Sequence, residues 1–180
     1  MLSKLKAYGF LLLVGGLVII ADQAIKAWII AHIGYTETWH PIPAFTWLSI
    51  TNWHNHGMAF GLGQTWGMVL LALGLVYGIV VFTVFPAIAR SPWYWRWGMA
   101  LQWGGALGNL LDRLRQGYVT DYVAVGRFPV FNLADAAISI SVVILLLGEF
   151  LEPSKETVAP TEESSAEPSS LPEDLHATRD

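Results

Sequence analysis

Two acidic side chains carry the chemistry that this sequence most plainly offers. Asp121 ends the run Gly117-Tyr118-Val119-Thr120-Asp121, and Asp135 ends Phe131-Asn132-Leu133-Ala134-Asp135. Both stand at the predicted edges of apolar segments. A carboxylate beside hydrocarbon is costly to keep, so it marks a functional site by default. Hydrolysing an amide needs a base for water and an acid for the carbonyl or leaving group. Two close carboxylates supply both, because they cannot both ionise cheaply and so share one proton. The stretch between them holds Gly126 and Pro129 and is short enough to fold back and bring the acids together. Asn132 and Asp135 also have a structural reading: Asn-x-x-Asp before an apolar helix resembles an N-cap with an acid in the first turn.

Other polar residues are spaced to support such a pair. Asn109 and Arg113 lie four apart and share one helix face, while Asp112 points elsewhere, towards Arg115 or water. Gly104 and Gly108 have a small-xxx-small spacing, which suits close helix packing; Gly105 lies between them. Asp22 and Lys26 also share a helix face. They either pair with each other, or Asp22 turns to the outer side and buttresses a site there. Asn55 lies in Asn55-His56-Gly57-Met58-Ala59-Phe60-Gly61, where glycines allow close backbone approach, and is placed to bond a substrate backbone. His54 and His56 invite a metal reading, but no helix with the His-Glu-x-x-His or His-x-x-Glu-His pattern is present. They read as exposed loop histidines, and no metal ligand is assigned.

These residues must be positioned by elements that live in lipid. The chain has 180 residues, of which 54% are apolar and only 13% charged, with a mean hydropathy of +0.47. A soluble domain would carry roughly twice that charge. Apolar runs near the length that spans a bilayer recur. The expected fold is a membrane all-α bundle of four transmembrane helices, over about 8–33, 66–85, 93–114 and 134–151. Pro86 ends the second span, and the short linker after it makes an antiparallel hairpin with the third. The first apolar run is too long for a signal-peptide core and has no small-residue cleavage site after it, so it stays as a span. The net charge of −4 hides two parts. Residues 152–180 carry a net −6, leaving +2 on the body 1–151. The tail is rich in Glu, Ser, Pro and Thr and lacks the apolar residues needed to fold, so it reads as a disordered cytoplasmic tail.

Lys4, Lys6, Arg90 and Arg96 flank one side of the expected bundle, and the loop 34–65 has neither Lys nor Arg. The positive-inside rule then puts both termini in the cytoplasm and the loops 34–65 and 115–133 outside, although Arg113, Arg115 and Arg127 fall on the outer side. Within 34–65, residues 44–53 alternate apolar with small or polar residues, as a strand does. A small extracytoplasmic β-sheet lying on the membrane surface is expected, with its Trp residues in the interfacial belt. No basic patch with interleaved aromatics points to nucleic acid. The absence of cysteine excludes a thiol nucleophile, thiolate metal sites, disulfides and a lipobox in this chain.

Taken jointly, Asp22, Asn55-x-Gly57-x-Ala59-Phe60, Gly105-x-x-Gly108-Asn109-x-x-Asp112-Arg113, Gly117-x-Val119-x-Asp121 and Phe131-Asn132-x-Ala134-Asp135 resemble bacterial lipoprotein signal peptidase, the type II signal peptidase. The resemblance covers about residues 22–150. It implies an aspartic endopeptidase of the bacterial cytoplasmic membrane, without a cofactor, working on the extracytoplasmic side. Its substrates would be diacylglyceryl-modified prolipoproteins, cut before the lipidated cysteine; membrane lipids are the other partner, and a monomer is expected. Asp121 and Asp135 would be the catalytic pair. Asn109, Arg113 and Asn132 would be polar supports, with Asp22, Asn55 and Gly105 lining the site. Gly61 and Tyr122 stand where the family more often has Ser and Phe. Two rivals are a proton-coupled exporter using Asp22 and a non-catalytic membrane assembly protein or chaperone. The acids cluster at one boundary and no inverted repeat is visible, which disfavours the exporter; the second rival would not need two Asn-flanked aspartates.

Overall fold

The structure is a computed structural model and describes residues 2–57 and 66–151. The expectations for the tail 152–180 and for Ala59, Phe60 and Gly61 lie outside the described residues. In chain order the elements are α1 (Leu2–His32), β1 (Thr38–Trp39), β2 (Leu48–Asn55), α2 (Gly67–Ile88), α3 (Trp93–Gln116), β3 (Val119–Val125) and α4 (Leu133–Leu151).

Three helices, α1, α2 and α4, are long and apolar enough to cross a membrane. Their exposed side chains include Leu12, Leu13, Leu73, Val76, Leu146 and Leu147. Exposure of so much apolar surface would be unfavourable in water and suits a lipid solvent. The expected fourth span, α3, differs in character: it carries Arg96, Asp112, Arg113 and Arg115. It also packs against all three other helices. A helix wrapped by apolar neighbours needs no apolar face of its own towards lipid, so its sequence is free to hold polar groups.

The packing is close because small residues allow it. A methyl group on Gly104 would meet the Gly15 carbonyl oxygen at 2.6 Å, and one on Gly105 would meet the Ala134 carbonyl oxygen at 2.5 Å. Both contacts are with backbone, which cannot swing away. Gly105→Ala should therefore lower stability by about 1–3 kcal/mol through overpacking, read as a lower melting midpoint in detergent. An unchanged midpoint would mean that the α3–α4 contact is looser than described. Further along, Leu11, Val14, Val81, Phe85, Ala100 and Trp103 form a buried cluster between α1, α2 and α3.

Several expected boundaries move. The first helix begins at Leu2 instead of Tyr8. The second runs through Pro86 to Ile88. Proline removes one backbone donor, but so near the end of the helix only one bond is lost, and the Ala89 N–H still reaches the Phe85 carbonyl at 2.8 Å. The hairpin between α2 and α3 is present. The strand expected over 44–53 instead covers Leu48–Asn55.

The stretch 115–133, expected as a loop, contains β3. The three strands form one antiparallel sheet in the order β1-β2-β3. Ile50 faces Val123 and Trp53 faces Asp121, with two residues of β2 opposing one of β3 between them. Such a bulge bends the strand and re-aims nearby side chains. The sheet lies at the end of the bundle where α1 closes, because Ile29 and Ile33 pack on Tyr122. At the opposite end, Phe10 meets Trp97 edge-on and Tyr94 donates to Glu149. Lys4, Lys6, Arg90 and Arg96 therefore lie towards the end away from the sheet.

Candidate active site

The two aspartates meet because the chain doubles back between them. After β3, Gly126 adopts φ +53°, and the chain returns so that Phe131 pairs with Val123. The Val123 N–H donates to the Phe131 carbonyl at 2.8 Å, and the Phe131 N–H returns the bond at 3.1 Å. This pairing sets Asn132 beside Asp121 and starts α4 immediately after it.

Asn132 then serves two purposes. Its side-chain oxygen accepts the Asp135 N–H at 2.9 Å, and the Asp135 carboxylate accepts the Asn132 N–H at 3.3 Å. This reciprocal cap satisfies donors that a helix start leaves open. The Asn132 side-chain NH2 faces the other way and donates to Asp121 Oδ1 at 2.6 Å. The N-cap reading and the paired-acid reading are thus compatible, since one residue fills both roles.

Each carboxylate is held by neutral amides. Asp121 Oδ2 accepts from Asn55 Nδ2 at 2.9 Å, and Asp135 Oδ1 accepts from Asn109 Nδ2 at 2.8 Å. Asn132 also donates to Asn109 Oδ1 at 3.1 Å, which ties the two holders together. Asp121 is 1% exposed, while Asp135 is partly open. Burial first, and then the nearby Asp135 charge, push the Asp121 carboxyl up to about 7, well above its ordinary range; the amide hydrogen bonds oppose this. Asp121 therefore keeps its proton below about pH 7 and gives it up above.

Both acids line one cleft of about 260 Å³. Its polar wall has Asn55, Gly57, Asn109 and Arg113, and its apolar wall has Val119, Phe128, Val130 and Ile138. Arg113 Nη2 donates to the Gly57 carbonyl at 2.8 Å, pinning the end of the β2 segment over the acids. Its buried Nε has no partner among the described residues. Asn109 and Arg113 do share a face, as their spacing requires. His54 stacks on Tyr118 at a centroid distance of 3.8 Å and meets Tyr35 at a tilt at 4.3 Å, within the sheet region.

Asp22 and Gly105 are not among the residues lining the cleft. Gly105 lies in the α3–α4 contact, where its lack of a side chain lets Ala134 approach. Asp22 lies behind the cleft, fully buried: its Oδ1 accepts the Ala134 N–H at 3.1 Å and its Oδ2 meets Lys26 Nζ at 2.8 Å. The pairing of Asp22 with Lys26 is therefore realised, while its carboxylate does not face the cleft. The expectation for Asp112 is overturned. It is buried rather than wetted, and it pairs with Lys26 at 2.9 Å instead of with Arg115. Judging Asp112 by its own helix alone could not reveal a partner on α1. Arg115 instead donates to Gln23 at 2.8 Å. The Tyr122 hydroxyl accepts the Leu133 N–H at 3.0 Å.

Comparison with known proteins points one way. The family described as Signal peptidase (SPase) II matches residues 14–151. A lipoprotein signal peptidase of Lactiplantibacillus plantarum is 36% identical over 151 residues, covering 82% of this chain and 97% of the relative. One from Rhodococcus jostii is 37% identical over 150 residues, covering 76% and 70% respectively. A solved bacterial membrane enzyme, determined by the in meso method at 2.3 Å resolution, superposes with a TM-score of 0.75 at 26% identity, covering 86% of this chain and 95% of that one. With the family match running from within α1 to the end of α4 and including the whole sheet, the chain belongs to the signal peptidase II family.

Proposed function

We propose that this chain removes signal peptides from prolipoproteins as an aspartic endopeptidase, with Asp121 and Asp135 as its catalytic pair. The observation that carries this reading is the amide chain Asn109–Asn132, which holds both carboxylates on one cleft. In the forward reaction Asp135 takes a proton from water. The resulting hydroxide adds to the scissile carbonyl carbon while protonated Asp121 donates to the carbonyl oxygen. Collapse of the tetrahedral adduct breaks the C–N bond: the leaving nitrogen takes the proton gained by Asp135, and a hydroxyl of the adduct returns its proton to Asp121 as the carboxylic acid product forms. Burial favours this division of roles: it raises the Asp121 carboxyl to about 7, so that Asp121 is the proton donor, while Asp135, in the first turn of α4, is the more open of the two. Asn55, Asn109, Arg113 and Asn132 orient the acids and the strand above them. Asp22 and Gly105 act from behind, by fixing how α4 approaches.

The scissile bond is the one before a diacylglyceryl-modified cysteine. Acyl chains need lipid and the reacting peptide needs water, and a cleft at the edge of a lipid-facing bundle offers both. The polar helix α3 is the fourth crossing, shielded by the other three. The sheet end faces away from the cytoplasm; Lys4, Lys6, Arg90 and Arg96 at the other end support that sidedness. Residues 1–151 form the working body, and 152–180 have no catalytic role.

The test is incubation of the purified protein with a lipidated prolipoprotein and with its unmodified form, each with and without a chelator. Cleavage of the lipidated form should be far faster and unaffected by chelation. Equal rates on the two forms would overturn the substrate class, and loss of activity with the chelator would overturn the metal-free mechanism.

A further inference from the structure

Lys26 has no part in the reaction just described, yet among the described residues it is the most deeply buried cation, only 2% exposed. Its ammonium meets Asp22 Oδ2 at 2.8 Å, Asp112 Oδ2 at 2.9 Å and Asn109 Oδ1 at 3.0 Å. An ammonium has three N–H groups and accepts nothing, so these three contacts use every donor. Neutralising one buried carboxylate would need only one of them.

Each contact leads towards the cleft. Asp22 holds the N–H of Ala134, the residue before Asp135, at 3.1 Å. Asp112 holds the N–H of Thr120, the residue before Asp121, at 3.1 Å. Asn109 reaches Asp135 directly at 2.8 Å. The third link also fixes the Asn109 amide. Because Lys26 only donates, the atom facing it must be the amide oxygen, and the NH2 is left to face Asp135. Rotating this amide by half a turn would set NH2 against an ammonium and an oxygen against a carboxylate.

We propose that Lys26 is a positioning residue for peptide cleavage: its ammonium holds the Asn109 side-chain oxygen so that the amide NH2 meets Asp135. This role rests on the aspartic reading above. Asp22 and Asp112 extend the same hold to the backbone beside each acid.

Lys26→Met alone leaves two buried carboxylates without a cation and can fail to fold, so the change is made in an Asp112→Asn parent. That double variant keeps the net charge of the cluster. The full chain is assayed in detergent on a lipidated prolipoprotein, after its melting midpoint shows that it is folded. Adding Lys26→Met to the Asp112→Asn parent should lower kcat by about ten- to 100-fold, as small misplacements of reacting groups do, with KM little changed. Adding it to an Asn109→Ala, Asp112→Asn parent should change kcat by less than about twofold, because residues acting through one another are non-additive. Equal effects in both parents would overturn the proposal, since a general packing role would act whether or not Asn109 is present. Asp121→Asn and Asp135→Asn serve as controls. If both still cleave, the aspartic reading has failed; if both are inactive and the Lys26 effects are equal, only the positioning role has failed.

Discussion

Asp121→Asn and Asp135→Asn should each reduce cleavage of a lipidated prolipoprotein by about a thousandfold or more, within the range expected when an acid or base is removed. Asparagine keeps the size and planarity of aspartate, so the cleft keeps its shape. At position 121 it also removes a carboxyl that burial already disfavours as an anion. Both variants should therefore still insert and melt cooperatively. Substantial cleavage by either would sink the two-acid mechanism. The wild-type pH profile should agree in sign. A raised pKa means that Asp121 keeps its proton below about 7 and gives it up above. If Asp121 is the acid, turnover falls as pH rises through that value. A profile still climbing well above pH 7 would assign the proton elsewhere.

Asn132→Ala should lower kcat by about 100-fold, a size typical of lost orientation, and stability by about 1 kcal/mol through loss of a helix cap. Asn132 touches both halves of the pair: it donates to Asp121 at 2.6 Å and accepts from the Asp135 N–H at 2.9 Å. Asn132→Ser separates the two roles. Serine supplies a capping oxygen but no NH2 to reach Asp121. Stability should return while kcat stays low. Recovery of both together would mean that Asn132 acts only as a cap.

How far the sequence foretold this arrangement depended on the range of the interactions involved. The apolar helices were legible because bilayer thickness dictates their length. The convergence of Asp121 and Asp135 was legible from the short connection containing Gly126. The strand β3 was missed, although Val119, Tyr122, Val123 and Val125 are strand-forming residues between Gly117 and Gly126. It was read as a connection because its partner, β2, lies far away in the chain. Asp112 was misread for the same reason. Helical spacing locates residues on their own helix, whereas the Lys26 that claims Asp112 comes from α1. Pro86 was overvalued as a stop because proline costs a helix little within its last turn. Long-range partners are set by how helices pack, and single-sequence periodicity does not encode that.

The bond from the Ala134 N–H to Asp22 joins residues 112 positions apart in the chain. During synthesis the first helix emerges with a carboxylate whose eventual donor has not yet been translated. Until the last helix arrives, neither Asp135 nor the donor that engages Asp22 exists. On the proposed two-aspartate mechanism, the nascent chain therefore stays inactive until α4 has been made.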